Sequence, residues 1–208
     1  MIIEQQKKLT AITHALYEDA KYDKLKMIKG AAKSFFKSFK PENFEEAYLA
    51  ISKEQGEDLV QIIKENNLKN IVEFGTSFGI STLFLAQGIL ETNGHIITTE
   101  LLESKAKIAI ENFRKAGVEN HIDVRIGDAL ETLKSHSNHI DLLLLDGWMD
   151  LYHPLFQILE PNFNNNTIIY VDNANAVDSQ KFLTSVSTEK YQIESKFNGK
   201  TAIIKIKQ

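Results

Sequence analysis

The chain has 208 residues, 43% of them hydrophobic, with a net charge of -4 and no cysteine. That is enough apolar material for one domain with a sizeable core, and it excludes disulfides and thiolate-held metals. The charge balance makes no whole-chain case for nucleic acid or a membrane surface, no apolar run approaches a membrane span, and the N-terminus MIIEQQKKLT lacks the apolar centre of a signal peptide; the simplest placement is soluble and cytoplasmic.

Residues 1–69 read as helical throughout, an N-terminal segment ahead of an α/β core over 70–208, both within one domain. The stretch KYDKLKMIKGAAKSFFKSFK at 21–40 carries seven Lys against one Asp, with Phe35, Phe36 and Phe39 among them. The favoured reading is an amphipathic helix with Phe inward and Lys in water. Basic residues interleaved with aromatics also suit single-stranded nucleic acid. Pro41 breaks the pattern, and Glu42, Glu45 and Glu46 reverse the charge. A further helix over 53–66 carries Leu59, Ile62 and Ile63 on one face.

From Asn70 onward, short apolar runs alternate with amphipathic stretches. Strands are predicted at 70–74, 95–100, 121–126, 140–145 and 167–172, and helices at 80–90, 103–116, 128–135, 151–159 and 176–187. Such alternation implies a parallel sheet covered on both faces. The tail differs: YQIESKF and KTAIIKIK flank Asn198-Gly199, a strong hairpin signal. The expected fold class is therefore α/β, a Rossmann-like, doubly wound, mostly parallel seven-stranded sheet that ends in an antiparallel hairpin.

In an open sheet of this kind, ligands bind beyond the carboxyl ends of the strands. Those ends carry the turn at 75–79, Glu100, Gly127-Asp128, Asp146 and Asp172-Asn173, which together suggest one acidic crevice. The turn lies within EFGTSFGIST. A dinucleotide fingerprint would need glycines where Ser77 and Ile80 stand, so a pyrophosphate is disfavoured. Glu100 can accept from both hydroxyls of a ribose, which points to a nucleoside without a diphosphate. The plain alternative is a tight turn joining strand to helix. Asp146 and Asp172-Asn173 end successive strands, and such strands are usually neighbours. They read either as helix caps or as a set of hard oxygen donors, which favours Mg²⁺ or Ca²⁺ over zinc. Trp148, the single Trp, suits either core packing or a wall against a purine.

These stretches resemble class I S-adenosylmethionine-dependent methyltransferases, and more narrowly the catechol and caffeoyl-CoA O-methyltransferase group. The resemblance covers about residues 52–208 and rests on SKEQG at 52–56, IVEFGTSFGISTL at 71–83, ITTE at 97–100, GDA at 127–129, LLDGWMDLY at 144–152 and VDNA at 171–174. It implies that Glu73, Gly75 and Ser77 line the methionine end of the cofactor, with Gly79 in the same turn and Ser81 nearby. It implies Glu100 on the ribose hydroxyls, Leu101 and Trp148 against the adenine, and Asp128 and Ala129 at the adenine edge. It also implies a divalent cation, Mg²⁺, on Asp146, Asp172 and Asn173, chelating adjacent oxygens of the acceptor. N-terminal helices in this group shape the acceptor pocket and often a dimer contact.

One position departs from the group. Met149 stands where the group usually has a Lys that takes the acceptor proton, and Met has no proton to exchange. His153, nearby and with a suitable pKa range, joins Asp146 as a catalytic candidate; a surface position on the next helix is its plainer reading. The expected function is cation-assisted methyl transfer from S-adenosylmethionine to a hydroxyl of a small molecule. A tRNA base is the second reading of the acceptor. A non-catalytic S-adenosylmethionine-binding protein, suggested by Met149, is the third.

Overall fold

The computed structural model describes residues 2–21, 23 and 45–207. Helix α1 spans Ile2–Ala20 and α2 spans Lys53–Glu65. Then follow β1 (Asn70–Phe74), α3 (Ile80–Thr92), β2 (His95–Glu100), α4 (Glu103–Ala116), β3 (Ile122–Ile126), α5 (Ala129–Thr132), β4 (Ile140–Leu145), α6 (Tyr152–Leu159), β5 (Phe163–Val171), α7 (Val177–Ser185), β6 (Tyr191–Lys196) and β7 (Thr201–Ile206). The seven strands form one sheet in the order β3-β2-β1-β4-β5-β7-β6. Strands β1 to β5 pair in parallel, and β7 runs antiparallel to both β5 and β6. The expected fold class therefore stands.

The apolar run Leu142–Leu145 of β4 is explained by cover on both faces. Leu142 and Leu144 enter a core with α1 to α4, whereas Leu143 and Leu145 enter a second core with α5 to α7. The same alternation sends Glu73 toward the first core and Phe74 toward the second, because successive strand residues point to opposite faces. The order reverses at β1: the chain builds β2 and β3 to one side, then crosses back to β4. That switch opens a crevice at the carboxyl ends of β1 and β4.

Several boundaries differ from expectation. Residues 45–52 are not helical. Their backbone finds side-chain partners instead: the Asp23 carboxylate accepts from the N–H groups of Tyr48 and Leu49 (both 2.9 Å), and Ser77 Oγ donates to the Tyr48 carbonyl (2.7 Å). The Lys-rich stretch predicted as a helix at 21–40 lies outside the described residues apart from Lys21 and Asp23. Helix α5 is one turn rather than 128–135. Asp128 caps its start through the Leu130 N–H (2.9 Å), and Arg125 binds the Thr132 carbonyl (2.9 Å) at its end. Strand β5 begins earlier than 167, through a bulge opposite β4. There Thr167 Oγ accepts from the Asn164 N–H (2.8 Å) and donates to the Ile140 carbonyl (2.6 Å), so the Asn-rich run stays extended rather than turning. No helix among the described residues is long and apolar enough to cross a membrane.

Candidate functional site

A cavity of about 670 Å³ opens at the switch point, a volume suited to a ligand of nucleoside size. Its floor is the turn after β1. Gly75 has φ +107°, in the region that favours glycine. A Cβ there would press into the backbone carbonyl of Asp146, so β1 and β4 end in direct contact. The turn is held by Glu100 at the end of β2, whose carboxylate accepts from the Ser77 N–H (2.8 Å) and the Leu102 N–H (2.9 Å). A carboxylate has about four acceptor sites, so these two bonds leave capacity facing the cavity.

Of the residues expected at the site, Gly75, Ser77, Ser81, Glu100, Leu101, Asp128, Ala129, Asp146, Trp148 and Asn173 line this cavity. Four others do not. Glu73 is fully buried behind the turn, where the hydroxyls of Thr82 and Thr98 donate to it. It points to the α3 side of the sheet and does not line the cavity. Gly79 is also absent from the lining. Its φ is +92° and a Cβ would strike the Phe113 ring, so it serves the close packing of the turn against α4. His153 points away toward α7, with Nδ1 2.9 Å from Ser185 Oγ and its ring against Phe182. It does not line the cavity. Asp172 is 7% exposed and sits just behind the cavity wall.

Asp146 and Asp172 are brought together by strand register. Leu145 pairs with Val171, so the next residue of each strand leaves the sheet side by side. The two carboxyls are in hydrogen-bonding contact, and burial together with the Asp172 charge holds the Asp146 carboxyl well above the usual carboxylate range. Asn173, with φ +51°, turns back so that its Nδ2 donates to Asp172 Oδ2 (2.8 Å). Among the described residues no group of three or more His, Cys, Asp or Glu could hold a metal ion. The donor set here is two carboxylates and one amide. It fits a hard divalent cation, because two abutting carboxylates need either a shared proton or a positive charge between them.

Burial also pushes the Glu73 carboxyl upward, against the lowering effect of its Thr82 and Thr98 donors. A carboxyl raised in the folded state stabilises the fold below its ordinary pKa of 4.5, and that contribution is lost as pH rises through the folded value. The melting temperature of Glu73→Gln should therefore gain on that of the unaltered protein between pH 5 and pH 8. Parallel pH profiles of the two proteins would refute this.

Sequence reasoning missed two features of the lining. Tyr48, Leu49 and Ala50 form a strap across one side of the cavity, and Lys105 lies beneath it. The Lys105 ammonium donates to the Ala47 carbonyl (2.8 Å) and Ser77 Oγ (3.3 Å), and sits 5.1 Å from the Phe78 ring centre. Burial lowers its pKa. In ESKAKIAI it looked like any solvent-facing helix lysine, and no local signal marks it.

The chain is 30% identical over 145 residues to a catechol O-methyltransferase of Niastella koreensis, covering 68% of this chain and 64% of that one. It is 32% identical over 110 residues to a caffeoyl-CoA O-methyltransferase of Medicago sativa, covering 50% of this chain and 44% of that one. The matches thus span less than two thirds of these curated relatives. An O-methyltransferase from Bacillus cereus, solved in complex with SAH, shares the fold over 100% of both chains with a TM-score of 0.67 at 21% identity. A family model described as O-methyltransferase matches residues 34–201, and with that match covering most of its length, the chain belongs to the O-methyltransferase family.

Proposed function

We propose that this protein is an S-adenosylmethionine-dependent O-methyltransferase acting on a hydroxyl of a small molecule, assisted by a divalent cation. The observation that carries the reading is the pair of in-register carboxylates, Asp146 and Asp172, beside a nucleoside-sized cavity whose turn is tied to Glu100. The named relatives are catechol and caffeoyl-CoA O-methyltransferases, which supports a small hydroxylated acceptor.

In this reading Glu100 holds the ribose hydroxyls with its free acceptor capacity. Trp148 and Leu101 enclose the adenine, with Asp128 and Ala129 at its edge. The turn from Gly75 to Ser77, with Ser81, receives the methionine end. S-adenosylmethionine supplies the methyl group as an electrophilic sulfonium. A cation on Asp146, Asp172 and Asn173 would lower the pKa of an acceptor hydroxyl and orient it. Asn173 presents an amide N–H to Asp172, so ligation through its oxygen requires the amide to turn over. The remaining task of the protein is positioning, since bringing nucleophile and methyl carbon to near-attack distance supplies most of the rate.

Met149 lines the same cavity and provides no proton acceptor there. Among the lining residues from 146 to 151, Asp146 alone carries a titratable side chain. Met149→Lys should raise methylation of a catechol test acceptor; no gain at any pH between 6 and 9 would count against a catechol-shaped acceptor site.

The reading as a whole is tested by thermal unfolding with added ligand. S-adenosylhomocysteine should raise the melting temperature, and NAD should not. The reverse result would overturn the assignment. A methyl-transfer screen against catechols, phenolic acids and bulk tRNA, with and without Mg²⁺, then identifies the acceptor.

A further inference from the structure

Helix α2 begins with a reciprocal cap. Gln55 N–H donates to Ser52 Oγ (3.2 Å) and Gln55 Oε1 accepts from the Ser52 N–H (2.9 Å). Such a cap needs nothing beyond the helix end. Gln55 nevertheless reaches across the molecule. Its Nε2 donates to Thr201 Oγ1 on β7 (2.8 Å) and to Asp172 Oδ1 at the end of β5. The side chain is 4% exposed and Thr201 is fully buried. An amide offers two donors and one oxygen, and here both donors and the oxygen are engaged.

The consequence falls on Asp172. One carboxylate oxygen is held by Gln55 and the other by Asn173. Two donors on opposite oxygens fix the plane of a carboxylate. Asn173 is exposed and must release its bond if its oxygen is to serve as a ligand, whereas Gln55 is buried and tied at three points. The fixed member of the pair is therefore Gln55.

We infer that Gln55 is a positioning residue, whose amide sets the plane of the Asp172 carboxylate and so the shape of the seat that Asp172 forms with Asp146. This rests on the proposed cation-assisted reading. Gln55 does not line the cavity; it acts through Asp172. The cap of α2 and the ligand seat thereby share one side chain, across 117 residues of chain.

The test is calorimetric titration of Mn²⁺, a hard cation for oxygen ligands, into the unaltered protein and three variants. Q55M removes the donor to Asp172. S52A removes the other half of the cap but leaves Gln55 bonded to Asp172, so it measures what a weakened cap does alone. Q55M should shift Mn²⁺ affinity at least fivefold while S52A stays within twofold and both bind S-adenosylhomocysteine like the unaltered protein. If Q55M does not fold, Q55A decides, since the smaller side chain also removes the donor to Asp172 and adds no charge beside it. A change of less than fivefold in Q55M, or in Q55A where Q55M fails to fold, overturns the inference. An equal change in S52A also overturns it. If the unaltered protein binds S-adenosylhomocysteine but no Mn²⁺, the cation reading itself falls and the inference with it.

Discussion

Asp172→Ala should abolish the stabilisation conferred by Mg²⁺ and lower methyl transfer by about 100-fold or more, a loss on the order of 3 kcal/mol in the barrier. A ligand at a hundred times its dissociation constant stabilises the fold by about 2.7 kcal/mol, readily seen as a shift in melting temperature. Asp172 supplies half of the buried carboxylate pair, and no other carboxylate among the described residues is positioned by register beside Asp146. Without cation the substitution has two opposed effects. It removes the charge that, after burial, raises the Asp146 carboxyl, and it leaves the Gln55 amide short of a partner, which costs about 1–3 kcal/mol. The sign of the pH effect is also fixed. Because the Asp146 carboxyl is raised, a cation must displace its proton, so Mg²⁺ binding to the unaltered protein should strengthen as pH rises. A Mg²⁺ shift that survives in Asp172→Ala would remove this residue from the cation seat.

Gly75→Ala is the second large expectation: loss of S-adenosylhomocysteine binding together with destabilisation of about 3 kcal/mol, roughly 10 °C in melting temperature for a chain of this size. Two costs combine. A left-handed φ of +107° disfavours any side chain, and the new methyl group would meet the Asp146 carbonyl, which is backbone and cannot swing aside. The turn or the end of β4 must move, and both border the cavity. Gly199→Ala provides the contrast. Its φ is +85° and nothing lies within 4 Å of where its methyl group would stand, so only the backbone cost applies, about 1 kcal/mol, with ligand affinity unchanged. Equal losses in the two variants would mean that contact with Asp146 contributes nothing.

Several features were legible in the sequence because they are encoded locally. The short, mostly apolar stretches at 70–74 and 140–145 read as buried strands, and the helices between them carried their own periodicity. Asn198-Gly199 turns as expected, with φ of +55° and +85°. The absent glycines at 77 and 80 and the acids at the strand ends drew attention to the crevice that the fold contains. The strap at 45–50 was hidden for the opposite reason. Its backbone is satisfied by Asp23 and Ser77, side chains outside the strap, so nothing in its own residues announces that it is not a helix.

The sequence by itself determined the order of strands and helices, the turns that join them and the chemical types available at the strand ends. Dihedral preference and the periods of helix and strand act within a few residues, and they suffice for that much. Only the tertiary structure decided which of those groups meet. Asp146 and Asp172 abut because of the β4–β5 register. Glu73 faces α3 rather than the cavity, Gly79 yields its space to Phe113, and His153 turns toward Ser185. Lys105 is buried by residues more than fifty positions earlier. Each of these outcomes depends on surfaces that come together only when distant segments pack, and no short stretch of chain specifies its own neighbours.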